Sequence, residues 1–230
     1  MKDSIKEKVE QDTADWEYLT SLPASWHGFT FKREMNIVDD RYELFSYNCE
    51  ERHRQAVAYY HEETKEYKLR VRIGLTEFCR IDCISADKTK FETLMRERFE
   101  SVLAELEHFD PASLGSMVAA KKIIEWKYQQ ALPETYRDFE LFIRPSEPVK
   151  ITNGSYIVFD YEDFATESNF IVYYNVYRDE FSGEARIRKI PDVNYNFDSR
   201  TIPELEQKLS RLLLPRLDEV YMRAKSEVQI

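Results

Sequence analysis

The spacing of hydrophobic positions changes character several times along the chain. Ile5, Val9, Trp16 and Leu19 fall near one stripe at helical spacing, which predicts a helix from about residue 3 with Asp3 as its cap. Leu22-Pro23 closes it, because proline drives the residue before it toward extended backbone. Short runs rich in Tyr, Phe, Val and Ile follow and predict strands over 29–37, 42–48, 55–63, 67–74 and 78–84. Asp39-Asp40 and Thr64-Lys65-Glu66 break these runs as turns, and connections this short suit an antiparallel meander. Asp87 then caps an amphipathic helix whose apolar stripe is Phe91, Leu94, Met95, Phe99, Val102, Leu103 and Leu106.

The same order of patterns then restarts. Ser113 is the expected cap of a helix bearing Leu114, Met117, Val118, Ile124 and Tyr128, which ends at Leu132-Pro133. Strands are predicted over 139–144, 155–161, 169–178, 184–190 and 193–197, with a hairpin turning through Phe181-Ser182-Gly183. A last helix opens at Asp198 or Thr201 and carries Ile202, Leu205, Leu209, Leu212, Leu213, Leu217 and Val220 on its apolar side.

The recurrence reaches individual residues. At an offset of 110, Trp16 falls on Trp126, Tyr18 on Tyr128, Leu22-Pro23 on Leu132-Pro133 and Phe29 on Phe139, while Trp26 meets Tyr136. Tyr59-Tyr60 matches Tyr173-Tyr174 at 114, and the closing helices align at 111. Small drifts in offset are what loop insertions produce, and a period near 110 is domain-sized. The expected fold class is therefore α+β, a tandem duplication of a helix, antiparallel meander (about five strands), helix unit, with domains 1–110 and 111–230. The shared Trp, Leu-Pro and Phe motif is read as a structural corner that pins a strand to a helix, with a binding groove as the other reading.

Charge narrows the range of partners. The chain carries a net charge of −10, with −7 in residues 1–110 and −3 in the rest. That field repels phosphate backbones, so neither nucleic acid nor an anionic membrane is expected as a partner. No apolar run approaches the roughly 18 residues of a membrane span. The charged N-terminal stretch lacks the apolar core of a secretory leader, so a cytoplasmic location is expected. Cys49, Cys79 and Cys83 are expected to be free thiols, and a C-x3-C spacing without further ligands does not predict a metal.

Catalytic signatures are lacking in the sequence: there is no phosphate-binding glycine loop, H-E-x-x-H or G-x-S-x-G. No catalytic residue, cofactor or metal is expected. Asp39-Asp40 with Glu43 could offer carboxylates to a cation but reads as a solvated turn. The most suggestive chemistry is an alternation. In YKLRVRI, Lys68, Arg70 and Arg72 point to one side of a strand, and ARIRKI repeats the idea with Arg186 and Arg188. A hairpin through residues 64–66 would set Glu62 opposite Lys68 and Tyr60 opposite Arg70, and the second hairpin would set Tyr174 opposite Arg188. Tyr60, Arg70, Arg72, Tyr174, Arg186 and Arg188 are thus the candidate partner-binding residues, a Tyr/Arg surface displayed twice toward a carboxylate-bearing protein. Such pairs also serve simply as sheet stabilisers. The functional expectation is a non-enzymatic cytoplasmic binding or adaptor protein with two pseudo-equivalent lobes holding a protein partner. The alternative is an enzyme or small-molecule-binding protein with a pocket between the lobes.

Overall fold

Strand-forming runs joined by turns of a few residues pair with their sequence neighbours, since each turn returns the chain alongside the strand it has just left. The computed structural model of the chain, which describes residues 2–226 less the side chains of Ser4 and Asn153, is accordingly a mixed α+β fold with two antiparallel sheets of six and seven strands. The chain separates into two units, Met1–Phe109 and Asp110–Ile230. No helix among the described residues is long and apolar enough to cross a membrane.

In the first unit, α1 (Asp3–Thr13) and α2 (Glu17–Ser21) precede strands β1 (Ser25–Trp26), β2 (Phe29–Val38), β3 (Arg41–Cys49), β4 (Arg54–His61), β5 (Glu66–Ile73) and β6 (Thr76–Ser85), and α3 (Lys88–Glu107) closes it. The strands lie in chain order across the sheet. Asp87 caps α3 by accepting the Lys90 N–H at 2.7 Å. The buried stripe of α3 meets aromatic rings from the sheet: Phe99 lies 5.6 Å from Phe45 and 5.3 Å from Tyr47, and Phe91 lies 5.7 Å from Tyr67, between ring centroids.

The single opening helix expected as far as Leu22 is two helices, because Trp16 adopts an extended backbone between them. Trp16 and Tyr18 are both buried, yet in a continuous helix they would stand about 200° apart around the axis. The break lets both rings enter the core.

The second unit comprises α4 (Ser116–Lys121), strands β7 (Thr135–Tyr136), β8 (Phe139–Ile143), β9 (Val149–Lys150), β10 (Ser155–Asp163), β11 (Ser168–Asn175), β12 (Glu180–Ile187) and β13 (Ile190–Val193), and the long α5 (Ile202–Ser226). Its sheet runs β13-β12-β11-β10-β8-β7, with β9 also pairing β10. Thr201 Oγ1 accepts the Glu204 N–H at 3.3 Å and caps α5, whose Leu205, Leu209, Leu213 and Leu217 pack into a core with Phe159, Phe170 and Tyr174.

Both sheets exceed the five or so strands expected, because the two-residue strands β1, β7 and β9 add to them, and two further elements differ from expectation. The helix predicted from Ser113 to Leu132 is instead α4 flanked by short 3-10 turns at Pro111–Ser113, Ile123–Glu125 and Lys127–Ala131, and Ser113 caps nothing. Val118 and Ile123 are both buried but would lie about 140° apart on one helix, so Lys122 takes left-handed backbone (φ 55°) and resets the direction. The hairpin between β11 and β12 turns at residues 176–179 rather than at Phe181-Ser182-Gly183. Asn175 Oδ1 accepts the N–H groups of Tyr177 and Arg178, both at 3.0 Å, and Asp179 adopts φ 51°. Gly183 serves close approach in mid-strand, since a Cβ there would lie 2.9 Å from Phe197.

Candidate functional site

The register of β4 on β5 decides which side chains share a face. Tyr60 pairs with Tyr67, Tyr59 with Lys68 and Val57 with Arg70, three residues away from the expected alignment. The turn occupies 62–65, with Lys65 at φ 56° and its N–H bonded to the His61 carbonyl at 2.9 Å. A slip by an odd number exchanges faces. Tyr60 therefore joins the buried helix-facing side, its ring 4.9 Å from Tyr67, and Tyr59 takes the place expected of it beside Arg70, 6.0 Å from ring to guanidinium.

Arg70 is largely buried on the helix-free face of the first sheet, where it meets Glu43 at 2.7 Å and Glu77 at 3.1 Å. Arg41 engages the same Glu77 at 2.9 Å. Two arginines thus share two carboxylates, and the charge of Arg70 is neutralised within its own unit. Burial, with Cys79 beside it, pushes the Tyr59 hydroxyl well above its ordinary range. Arg72, two residues further along β5, is exposed.

Arg186 occupies the helix-free face of the second sheet. It donates to Glu184 at 2.9 Å and lies 3.5 Å from the Tyr173 hydroxyl. Asp160 and Glu162, on the same face of β10, are fully buried, and Asn169 Nδ2 donates to Asp160 Oδ2 at 3.3 Å. Burial first, and then the neighbouring Glu162 carboxylate, raise the Asp160 carboxyl far above the usual carboxylate range, which keeps a proton on the pair. The sequence signal for this pair was the alternation in FDYED, hidden because the strand was expected to end at Tyr161.

The expected pairing of Tyr174 with Arg188 does not form. Tyr174 faces Phe181, is fully buried, and donates its hydroxyl to Asp179 at 2.7 Å. Arg188 leaves the strand with Lys189 in a two-residue turn (φ 52° and 68°), and its guanidinium caps α5 by donating to the Ala224 carbonyl at 3.1 and 3.0 Å. Within each unit the expected tyrosine and arginine lie on opposite faces of the sheet, Tyr60 against Arg70 in the first and Tyr174 against Arg186 in the second.

The Leu-Pro corners form closely similar bonds in each unit. Trp16 Nε1 donates to Glu92 of α3 at 2.7 Å, and Trp126 Nε1 to Glu206 of α5 at 3.2 Å. Tyr47 donates to the Pro23 carbonyl at 2.6 Å, and Tyr161 to the Pro133 carbonyl at 2.7 Å. His27 (φ 48°) approaches Glu107 at 3.3 Å, and Arg137 (φ 56°) donates to Asp218 at 2.8 Å. In the first unit the corner opens a shallow groove of about 230 Å³.

A second concavity, of about 280 Å³, lies along α5 and is lined by Asn196, Gln207, Lys208, Arg211 and Leu212. The Lys208 ammonium donates to the Asp198 carbonyl, and the exposed Tyr195 precedes Asn196 in the loop entering α5. Lys208 is already paired with Glu204 at 3.1 Å, so it is Arg211, with two amides and one leucine wall, that suits a carboxylate carried on an apolar stem. Sequence reasoning placed Leu212 on the buried stripe and passed over Lys208 and Arg211, whose three-residue spacing puts them side by side on the helix surface. Comparison with protein-family models, with curated proteins and with solved structures finds no match to the chain.

Proposed function

We propose that the chain is a non-enzymatic, cytoplasmic binding protein built from two copies of one ancestral unit, and that it holds a carboxylate-bearing protein segment along α5. The observation that carries the reading is the cleft of Asn196, Gln207, Lys208, Arg211 and Leu212 beside Tyr195. The Arg211 guanidinium at this concavity, in a chain with net charge −10, is a local complement to an acidic segment. Tyrosine and arginine are the residue types that most often anchor protein partners. The matched corner bonds of Trp16 and Trp126, of Tyr47 and Tyr161, and of His27 and Arg137 support the duplication.

A fluorescein-labelled peptide alternating glutamate and leucine, with a lysine-leucine counterpart, tests this reading by fluorescence anisotropy. The glutamate peptide is expected to bind, to weaken with added salt, and to lose at least about tenfold in affinity with Arg211→Glu, a change of about 1.4 kcal/mol. Binding of both peptides alike, or equal binding by the variant, removes the cleft as the docking site. Binding of free glutamate in place of the peptide transfers the support to a small-molecule role.

A further inference from the structure

Two hairpin ends of the first sheet meet at Asp40, His61 and Glu63, and we propose that they hold a divalent transition-metal ion, zinc foremost, between one imidazole nitrogen and two carboxylates. β3 and β4 are antiparallel neighbours, with Arg41 paired to His61, so the turn before β3 and the turn after β4 lie at the same end of the sheet. Both are tight: Asp39 adopts φ 55° and Lys65 φ 56°. The Glu62 N–H donates to the Asp40 carbonyl at 2.9 Å, which ties one turn to the other through backbone. One ligand atom from each of Asp40, His61 and Glu63 lies within 4.8 Å of the others, and His61 Nε2 is 2.9 Å from Asp40 Oδ2.

Metal–ligand bonds of about 2.0–2.2 Å at tetrahedral angles set donor atoms roughly 3.3–3.6 Å apart. Asp40 and His61, now at the hydrogen-bond distance of 2.9 Å, need to part by about 0.4–0.7 Å to admit the ion, and the exposed Glu63 can rotate inward. The donor set points to the metal class. Imidazole nitrogen favours zinc and its neighbours over magnesium or calcium, and two carboxylates neutralise a double charge. With three protein ligands, water fills the remaining position.

His61 finds a partner in Thr64 in either form of the ring. Its Nδ1 lies 3.3 Å from the Thr64 N–H and 3.1 Å from the Thr64 hydroxyl oxygen. As the contacts stand, Nδ1 accepts from the Thr64 N–H while Nε2–H donates to Asp40. Metal at Nε2 moves the proton to Nδ1, which gives up the long 3.3 Å bond from the Thr64 N–H and donates instead to the Thr64 hydroxyl, and that hydroxyl in turn donates to Glu66. A hydrogen bond from Thr64 already holds the Glu66 carboxyl below the ordinary value. A carboxylate, hydroxyl and imidazole in series behind a metal is the kind of outer support that fixes ligand orientation.

The test is calorimetric titration of the full chain with zinc chloride, with calcium chloride for comparison, joined to NMR of the His61 ring nitrogens. Zinc is expected to bind more tightly than calcium, and the ring proton to pass from Nε2 to Nδ1. Asp40→Asn, His61→Ala and Glu63→Gln should each weaken zinc by about tenfold or more. Circular dichroism checks that each variant folds, and the NMR of the unaltered chain decides the matter where one does not. Unchanged affinity in any folded variant, an unmoved His61 proton, or no heat at millimolar zinc overturns the site.

Discussion

Asp160 shows what a single buried side chain does to the whole equilibrium. Its carboxyl is raised by burial and by Glu162, so the folded chain keeps a proton that the unfolded chain releases near pH 4. Where the folded state binds more protons, stability falls as pH rises. The stabilising contribution is thus complete below about pH 4 and is lost as pH climbs through the raised folded value. Asp160→Asn is neutral at every pH and should flatten this slope, so that thermal melts of variant and parent converge in acid and diverge toward neutrality in favour of the variant. Parallel melting curves across that range would show that the proton is not held. Individual residues were the least legible level of the sequence. Arg70 and Arg186 were identified as notable, but their partners depend on register, and register depends on turn residues such as Lys65 and Asp179 whose left-handed backbone leaves little trace in composition. Tyr60 and Tyr59 exchange faces for that reason alone.

Elements were more legible where one constraint acts and less so where two compete. Strands β2 to β6 follow the tyrosine- and valine-rich runs because alternation and turn residues agree. The opening helices fail to run through because Trp16 and Tyr18, or Val118 and Ile123, demand burial from different sides of one axis. Gly183 carries a similar lesson: a glycine expected to mark a turn instead leaves room for a ring. Gly183→Ala should push a methyl into Phe197 and destabilise the chain by about 1–3 kcal/mol, measured by chemical denaturation. A neutral result would mean that the loop carrying Phe197 yields to the added group. The cleft along α5 arises from residues on a polar flank, which periodicity discards by design.

On the scale of the molecule, the proposed duplication makes its own demand. Trp16→Phe and Trp126→Phe each remove one donor from a carboxylate on the closing helix of a unit, and each should cost about 1–3 kcal/mol in denaturant melts. A loss confined to one of the two speaks against equivalent corners. The same corners set what light reports. All three tryptophans, Trp16, Trp26 and Trp126, belong to them, and Trp16 and Trp126 are buried in cores. Intrinsic tryptophan emission therefore follows the melting of the corners, and because Trp126 bonds Glu206, the neighbour of Gln207 in the α5 cleft, that one chromophore is also placed to register peptide capture without any added label.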